Sequence, residues 1–222
     1  MADTLVDHTS EILEANEKDL AAISKEVAQQ AHREATERIR ISEETIHLMK
    51  QRLLDLLTLP APIGEVSRAW MTSDGMQVHT VRSPLGILAV VSDMGPLVTA
   101  ESFGMCLKTQ NVCVFRGGTE WLHTNAALVG CLQQAVAANG VPEGGLTFLD
   151  RSSPDAALEI VRYPQYVQAV VTRGSAGLRK GIMEQSRVPV IGFDGGLCHV
   201  YVDQDVDIPL AQTITVNAKI QS

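Results

Sequence analysis

The chain has 222 residues, 45% of them apolar, and a formal net charge of −8 from 18 Lys and Arg against 26 Asp and Glu. That is enough apolar material for one large domain, or one domain with a small appendage. The acidic balance, without a basic block, excludes a nucleic-acid or anionic-membrane binder of the usual kind, and no window approaches the ~18 apolar residues of a membrane span.

The N-terminal MADTLVDHTSEILEANEKDL is acidic and lacks the apolar run of a secretory signal. The four cysteines are Cys106, Cys113, Cys131 and Cys198, none in a C-x-x-C pair. They read as reduced, buried thiols of a cytoplasmic protein.

Residues 4–57 carry helical periodicity. Leu5, Ile12, Leu13, Leu20 and Ile23 mark one face, and the polar run Asn16 to Asp19 is read as an interruption of the first helix. No Pro or Gly falls between Val27 and Leu57, so a long helix is expected there, ended by TLPAPIG. Residues 65–82 then alternate on both sides of Asp74-Gly75, with Val66, Arg68 and Trp70 before it and Met76, Val78 and Thr80 after. This is the pattern of a projecting antiparallel hairpin.

From Pro84 onward the pattern is β then α, repeated. LGILAVV, NVCVF, GLTFLD, VQAVV, VPVIGF and CHVYVD are predicted strands. Helices are expected over 98–108, 119–138, 154–162, 174–186 and 208–219. Apolar runs without alternation suit a buried parallel sheet, and the whole reads as an α/β, Rossmann-like open sheet of roughly six strands. Three units are expected: an N-terminal helical layer (1–63), the hairpin (64–83) and an α/β nucleotide-binding core (84–222).

Ligands of such sheets bind beyond the carboxyl ends of the strands. Three of those ends, FRGGTE, VTRGSAG and GFDGGLCH, combine glycines with polar residues. Glycine admits a close backbone approach and a helix N-terminus offers free N–H groups to phosphate. Arg116 suits a phosphate as a planar fork, and Glu120 suits ribose hydroxyls. Ordinary βα turns with Thr119 as a cap account for the same residues, since neither G-x-G-x-x-G nor a Walker loop is present. Cys198 and His199 are strand neighbours in this reading, face opposite ways and are expected in the core. His79 and His123 are isolated, and no His/Asp/Glu spacing suggests a metal. Asp207, with Asp203 and Asp205, is expected to cap the last helix.

EILEANEKDL, RSPLGILAVV, CLKTQNVCVFRGGTE, TRGSAGL, VPVIGFDGGLCHVYVD and VNAKIQ occur in the order seen in γ-glutamyl phosphate reductase. The chain resembles that family, also called glutamate-5-semialdehyde dehydrogenase, of the aldehyde dehydrogenase superfamily. The resemblance implies NADPH-dependent reduction of γ-glutamyl phosphate in proline biosynthesis. It places NADP(H) against Arg116, Gly117, Gly118, Thr119 and Glu120, with Arg116 at the 2′-phosphate. It places Arg173, Gly174 and Ser175 near the pyrophosphate or nicotinamide end, and gives the 65–82 hairpin a role in oligomerisation.

The chain also departs from the family. Where members carry Glu-Ser-Arg-Pro-Asn, it has Asp93 to Leu97, so Leu97 stands at the position of an oxyanion donor. Thr172 replaces a Pro, and Phe193 replaces a His. The family's nucleophilic cysteine and catalytic domain lie beyond VNAKIQS, so a short form that keeps the nucleotide site is expected. A non-catalytic paralogue that partners a full-length reductase, by homo- or hetero-association through the hairpin, is the alternative. Cys198 is the one thiol near the cofactor end and a remote candidate nucleophile; the expectation is no turnover by this chain alone.

Overall fold

The computed structural model describes residues 1–23, 36–150, 154–192 and 198–220. Helices α1 (Ala2–Asp7), α2 (Thr9–Ile23) and α3 (Glu43–Thr58) come first, followed by the hairpin strands β1 (Val66–Met71) and β2 (Gln77–Val81). The remainder alternates: β3 (Ile87–Ser92), α4 (Pro96–Lys108), β4 (Val112–Arg116), α5 (Leu122–Ala137), β5 (Leu146–Phe148), α6 (Pro154–Ile160), β6 (Ala169–Arg173), α7 (Ala176–Gln185), β7 (Val190–Gly192) and α8 (Ile208–Ile220).

Strands β3 to β7 form one parallel sheet in the order β5-β4-β3-β6-β7. The continuous apolar run of β3 is explained by cover on both faces. Leu88 and Val90 join Phe103 of α4, Phe115 of β4 and Leu128 of α5 in one core; Ala89 and Val91 join Ala157, Val161 and Ile182 under α6 and α7 in the other. Leu5, Ile12, Ile46, Met49 and Leu53 of α1 to α3 extend the first core outward, giving that side a second helical layer. The chain runs from β3 out to β4 and β5, then returns to β6 on the opposite side of β3. The order reverses between β3 and β6, and a crevice for ligands is expected outside their carboxyl ends.

The helical layer departs from the sequence expectation in three places. Helix α2 runs unbroken through Asn16 to Asp19, because both side chains point inward and are satisfied there, at 2% and 3% exposure. The expected helix from Val27 lies partly outside the described residues; residues 36–39 are helical, and a break follows although no Pro or Gly is present. Asn16 takes over the backbone at this break: its Nδ2 donates to the Ile39 carbonyl (3.1 Å) and its Oδ1 accepts from the Ile41 N–H (3.1 Å). Ser42 then opens α3 with a reciprocal Thr45 cap. Thirdly, α1 ends at Asp7 and a new helix starts at Thr9, whose hydroxyl donates to the Val6 carbonyl (2.8 Å).

The hairpin forms as expected, with Trp70 opposite Val78 and Gly75 at φ 85° in the turn. Its strands are exposed along nearly their whole length. The predicted sixth strand does not form. Residues 198–203 have no regular structure and are exposed, including Cys198 and His199, which the sequence placed in the core. A strand needs a paired neighbour, and this segment has none among the described residues. Asp207 caps α8 as expected, accepting from the Leu210 N–H (3.0 Å).

Candidate functional site

The registers bring Ser92, Arg116 and Arg173 to one level at the carboxyl edge of the sheet, since Val91 pairs with Arg116 and Ser92 with Arg173. Arg116 closes β4 at 8% exposure. Its Nε is buried without a hydrogen-bond partner, and Glu120 and Asp93 supply the nearby negative charge. Burial pulls the guanidinium below its ordinary pKa, while Glu120 and Asp93 push back. A mostly buried cation with an unused donor is costly unless an anion completes its shell.

Gly117 follows directly. A β-carbon there would run into the Asn125 amide, which is itself fixed by the Thr99 hydroxyl donating to Asn125 Oδ1 (2.6 Å). Backbone is therefore the only thing that fits between Arg116 and α5. Gly118 and the short 3-10 turn Thr119–Trp121 lead into α5. Thr119 is exposed and no side-chain cap comes from it. The cap comes from another helix: Asp19 accepts from the N–H groups of His123 (2.9 Å) and Thr124 (2.8 Å) and from the Thr124 hydroxyl (2.6 Å). Glu120 faces solvent and pairs with Arg38 at 3.4 Å.

On the other side of the switch point, the Arg173 side chain turns away from Arg116. Its Nη2 lies 3.7 Å from Glu101, which Arg52 also approaches at 3.7 Å, beside a cavity of about 540 Å³ floored by Leu88, Val90 and Val171. Gly174 has φ 137°, and a β-carbon there would overlap the Asp93 carboxylate. Ser175 opens α7, its hydroxyl accepting from the Leu178 N–H (3.2 Å). The Asp93 carboxylate bridges the crevice by accepting from the Ser175 N–H (3.1 Å) and hydroxyl (2.5 Å).

The site therefore gathers Arg116, Gly117 and Glu120 with Asp93, Gly174 and Ser175, and leaves Arg173 and Cys198 outside this cluster. Leu97 packs against the core. Asn16, Asp19, Arg38 and Asp93 were not singled out as site residues in the sequence. A trace was present in the first two: polar residues three apart on the face that carries Ile12 and Leu20. Residues 193–197, the FDGGL that follows Gly192, lie outside the described residues. Among the described residues, no His, Cys, Asp and Glu cluster could hold a metal, and no helix is long and apolar enough to cross a membrane.

No family model matches the chain. It is 36% identical over 221 residues to γ-glutamyl phosphate reductase of Thermodesulfovibrio yellowstonii, covering 100% of this chain and 52% of that protein. With the Moorella thermoacetica enzyme of the same name the identity is 37% over 221 residues, with the same coverage. The chain spans about half the length of the curated relatives it matches. The crystal structure of γ-glutamyl phosphate reductase from Thermotoga maritima superposes with a TM-score of 0.86 at 29% identity, over 98% of this chain and 52% of that one. A propionaldehyde dehydrogenase from Clostridium phytofermentans shares the fold alone, at TM-score 0.55 and 17% identity over 84% of this chain and 42% of its own. Along its whole length, then, this chain is a homologue of γ-glutamyl phosphate reductase, corresponding to about half of that enzyme and sharing its α/β fold.

Proposed function

We propose that the chain carries the nicotinamide dinucleotide site of a γ-glutamyl phosphate reductase, with NADP(H) as the ligand. The observation that carries this reading is Arg116, a residue more than nine-tenths buried at the carboxyl end of β4, with a buried, unused Nε beside glycine backbone that admits no side chain. Arg116, Gly117, Gly118, Thr119 and Glu120 would hold the adenosine end, and Gly174 and Ser175 the pyrophosphate side; Arg173, paired with Glu101, would reach the nicotinamide only by turning back toward the crevice. When bound, the nicotinamide would supply hydride. The chain's own residues would orient it: Glu120 by accepting from ribose hydroxyls, and Arg116 by electrostatic support from beneath.

Acyl-phosphate reduction through a thioester needs an exposed thiolate facing the nicotinamide and donors for the oxyanion. Cys106, Cys113 and Cys131 are buried, Cys198 lies outside the clustered site, and Leu97 offers no donor. We therefore assign nucleotide binding, without turnover, to the 222-residue chain itself. The exposed hairpin supports self-association through residues 65–82. Titration calorimetry with NADPH tests the reading: saturable binding below about a millimolar is expected, and a flat titration at that concentration overturns it. NADP⁺ reduction with glutamate semialdehyde should give no rate above background; a rate lost in Cys198→Ala would restore Cys198 as a nucleophile.

A further inference from the structure

Glu120 raises an electrostatic difficulty for a 2′-phosphate. A carboxylate that accepts from ribose hydroxyls favours the unphosphorylated ribose and repels a phosphate at the 2′ position. Arg116 cannot remove this repulsion alone. It is buried, and its charge is already shared between Glu120 and Asp93.

A second guanidinium meets Glu120 from a different part of the chain. Arg38 Nη2 lies 3.4 Å from Glu120 Oε1, and its side chain is 67% exposed against 38% for Glu120. The backbone beside it is held on two sides: the Ile39 carbonyl accepts from Asn16 Nδ2 (3.1 Å) and from the Trp121 indole N–H (3.3 Å). Trp121 belongs to the same turn as Glu120. One indole thus ties the segment bearing Arg38 to the segment bearing Glu120, while the Arg38 side chain stays free to turn toward an arriving group.

We propose that Arg38 is a specificity-determining residue of the dinucleotide site: it neutralises Glu120 and takes the 2′-phosphate monoester as a planar, charge-assisted fork at the rim. The inference rests on the dinucleotide reading above. Arg116 supports the carboxylates from beneath and Arg38 faces the ligand, so the two cations divide the work. The Glu120 contact is made through Nη2 alone, so the guanidinium of this exposed pair can hold Glu120 and present its other edge to a phosphate dianion.

The test compares NADPH and NADH affinities by calorimetry in the 222-residue chain, in Arg38→Ala and in Arg38→Lys. Arg38→Ala should lose NADPH affinity about tenfold, as expected for a charge-assisted contact, with NADH affinity unchanged or slightly altered. Arg38→Lys should fall between, because the charge remains and the fork does not. Raising salt should narrow the NADPH–NADH gap of the parent chain and leave the smaller gap of Arg38→Ala little changed. An unchanged NADPH-to-NADH ratio in Arg38→Ala, or an equal loss for both nucleotides, overturns the proposal while the dinucleotide reading stands. A parent chain that binds neither nucleotide overturns both.

Discussion

The Asp93 carboxylate lies across the β3–β6 switch point and accepts two hydrogen bonds from Ser175, one from its backbone N–H at 3.1 Å and one from its hydroxyl at 2.5 Å. The turn between them is closed by Gly174 at φ 137°, with no room for a β-carbon beside Asp93. Gly174→Ala should therefore destabilise the fold by about 1–3 kcal/mol, through backbone strain and displacement of Asp93. At ~2–4 °C per kcal/mol for a chain of this size, thermal unfolding would fall by several degrees. Thermal melts followed by circular dichroism measure this, and an unchanged midpoint would show the turn to be unstrained.

Asp19 is the cap of a helix to which it does not belong. It is 3% exposed and takes three donors from His123 and Thr124 at the start of α5. Asp19→Ala leaves those donors buried and unpaired, and should cost about 2–4 kcal/mol. Asp19→Asn keeps one acceptor oxygen and should cost less. Urea unfolding should show a lower midpoint with an unchanged slope. Because α5 abuts Gly117 through Asn125, the Ala variant should also weaken nucleotide binding.

The thiols should separate by burial. Burial pushes the Cys131 thiol up to about 11, and the Cys106 contact together with burial raises Cys113 well above its ordinary range. Cys106 is buried beside it, while Cys198 is exposed. Alkylation of the native chain near neutral pH should give one fast adduct, lost in Cys198→Ser, and three more only in denaturant. Mass spectrometry of timed samples counts them. Fast labelling at Cys131 would mean that the core opens readily.

The hairpin should drive association. Trp70 is 42% exposed, covered by Arg68 at 5.0 Å, and flanked by exposed Val66, Met71, Met76 and Val81. Such a ribbon in water favours a second chain. Light scattering should report a mass that rises with concentration. Trp70→Glu should shift it toward the monomer with little change in thermal stability, since β1 and β2 bury almost nothing against the sheet. A monomer at every concentration would remove the hairpin from the interface.

Much of the α/β core was legible from local pattern. Uninterrupted apolar runs marked β3, β4 and β6 because both faces of a parallel strand are covered, and Asp74-Gly75 marked the hairpin because its turn needs that chemistry. Glycines at 117 and 174 likewise pointed to the strand ends where backbone must come close. These features depend on a few neighbouring residues, so sequence alone carries them. The CHVYVD segment shows the limit: it reads locally as a strand, but a strand exists only with a partner, and the structure provides none among the described residues. Asn16 and Asp19 looked like a helix break because polarity is visible locally and satisfaction is not; their partners lie at Ile39, Ile41, His123 and Thr124. The same holds for Arg38 with Glu120 and for Asp93 with Ser175, each pair separated by 82 positions. Hydrogen bonds and ion pairs between distant segments follow from how layers stack and which strands adjoin, and only the tertiary structure decides that.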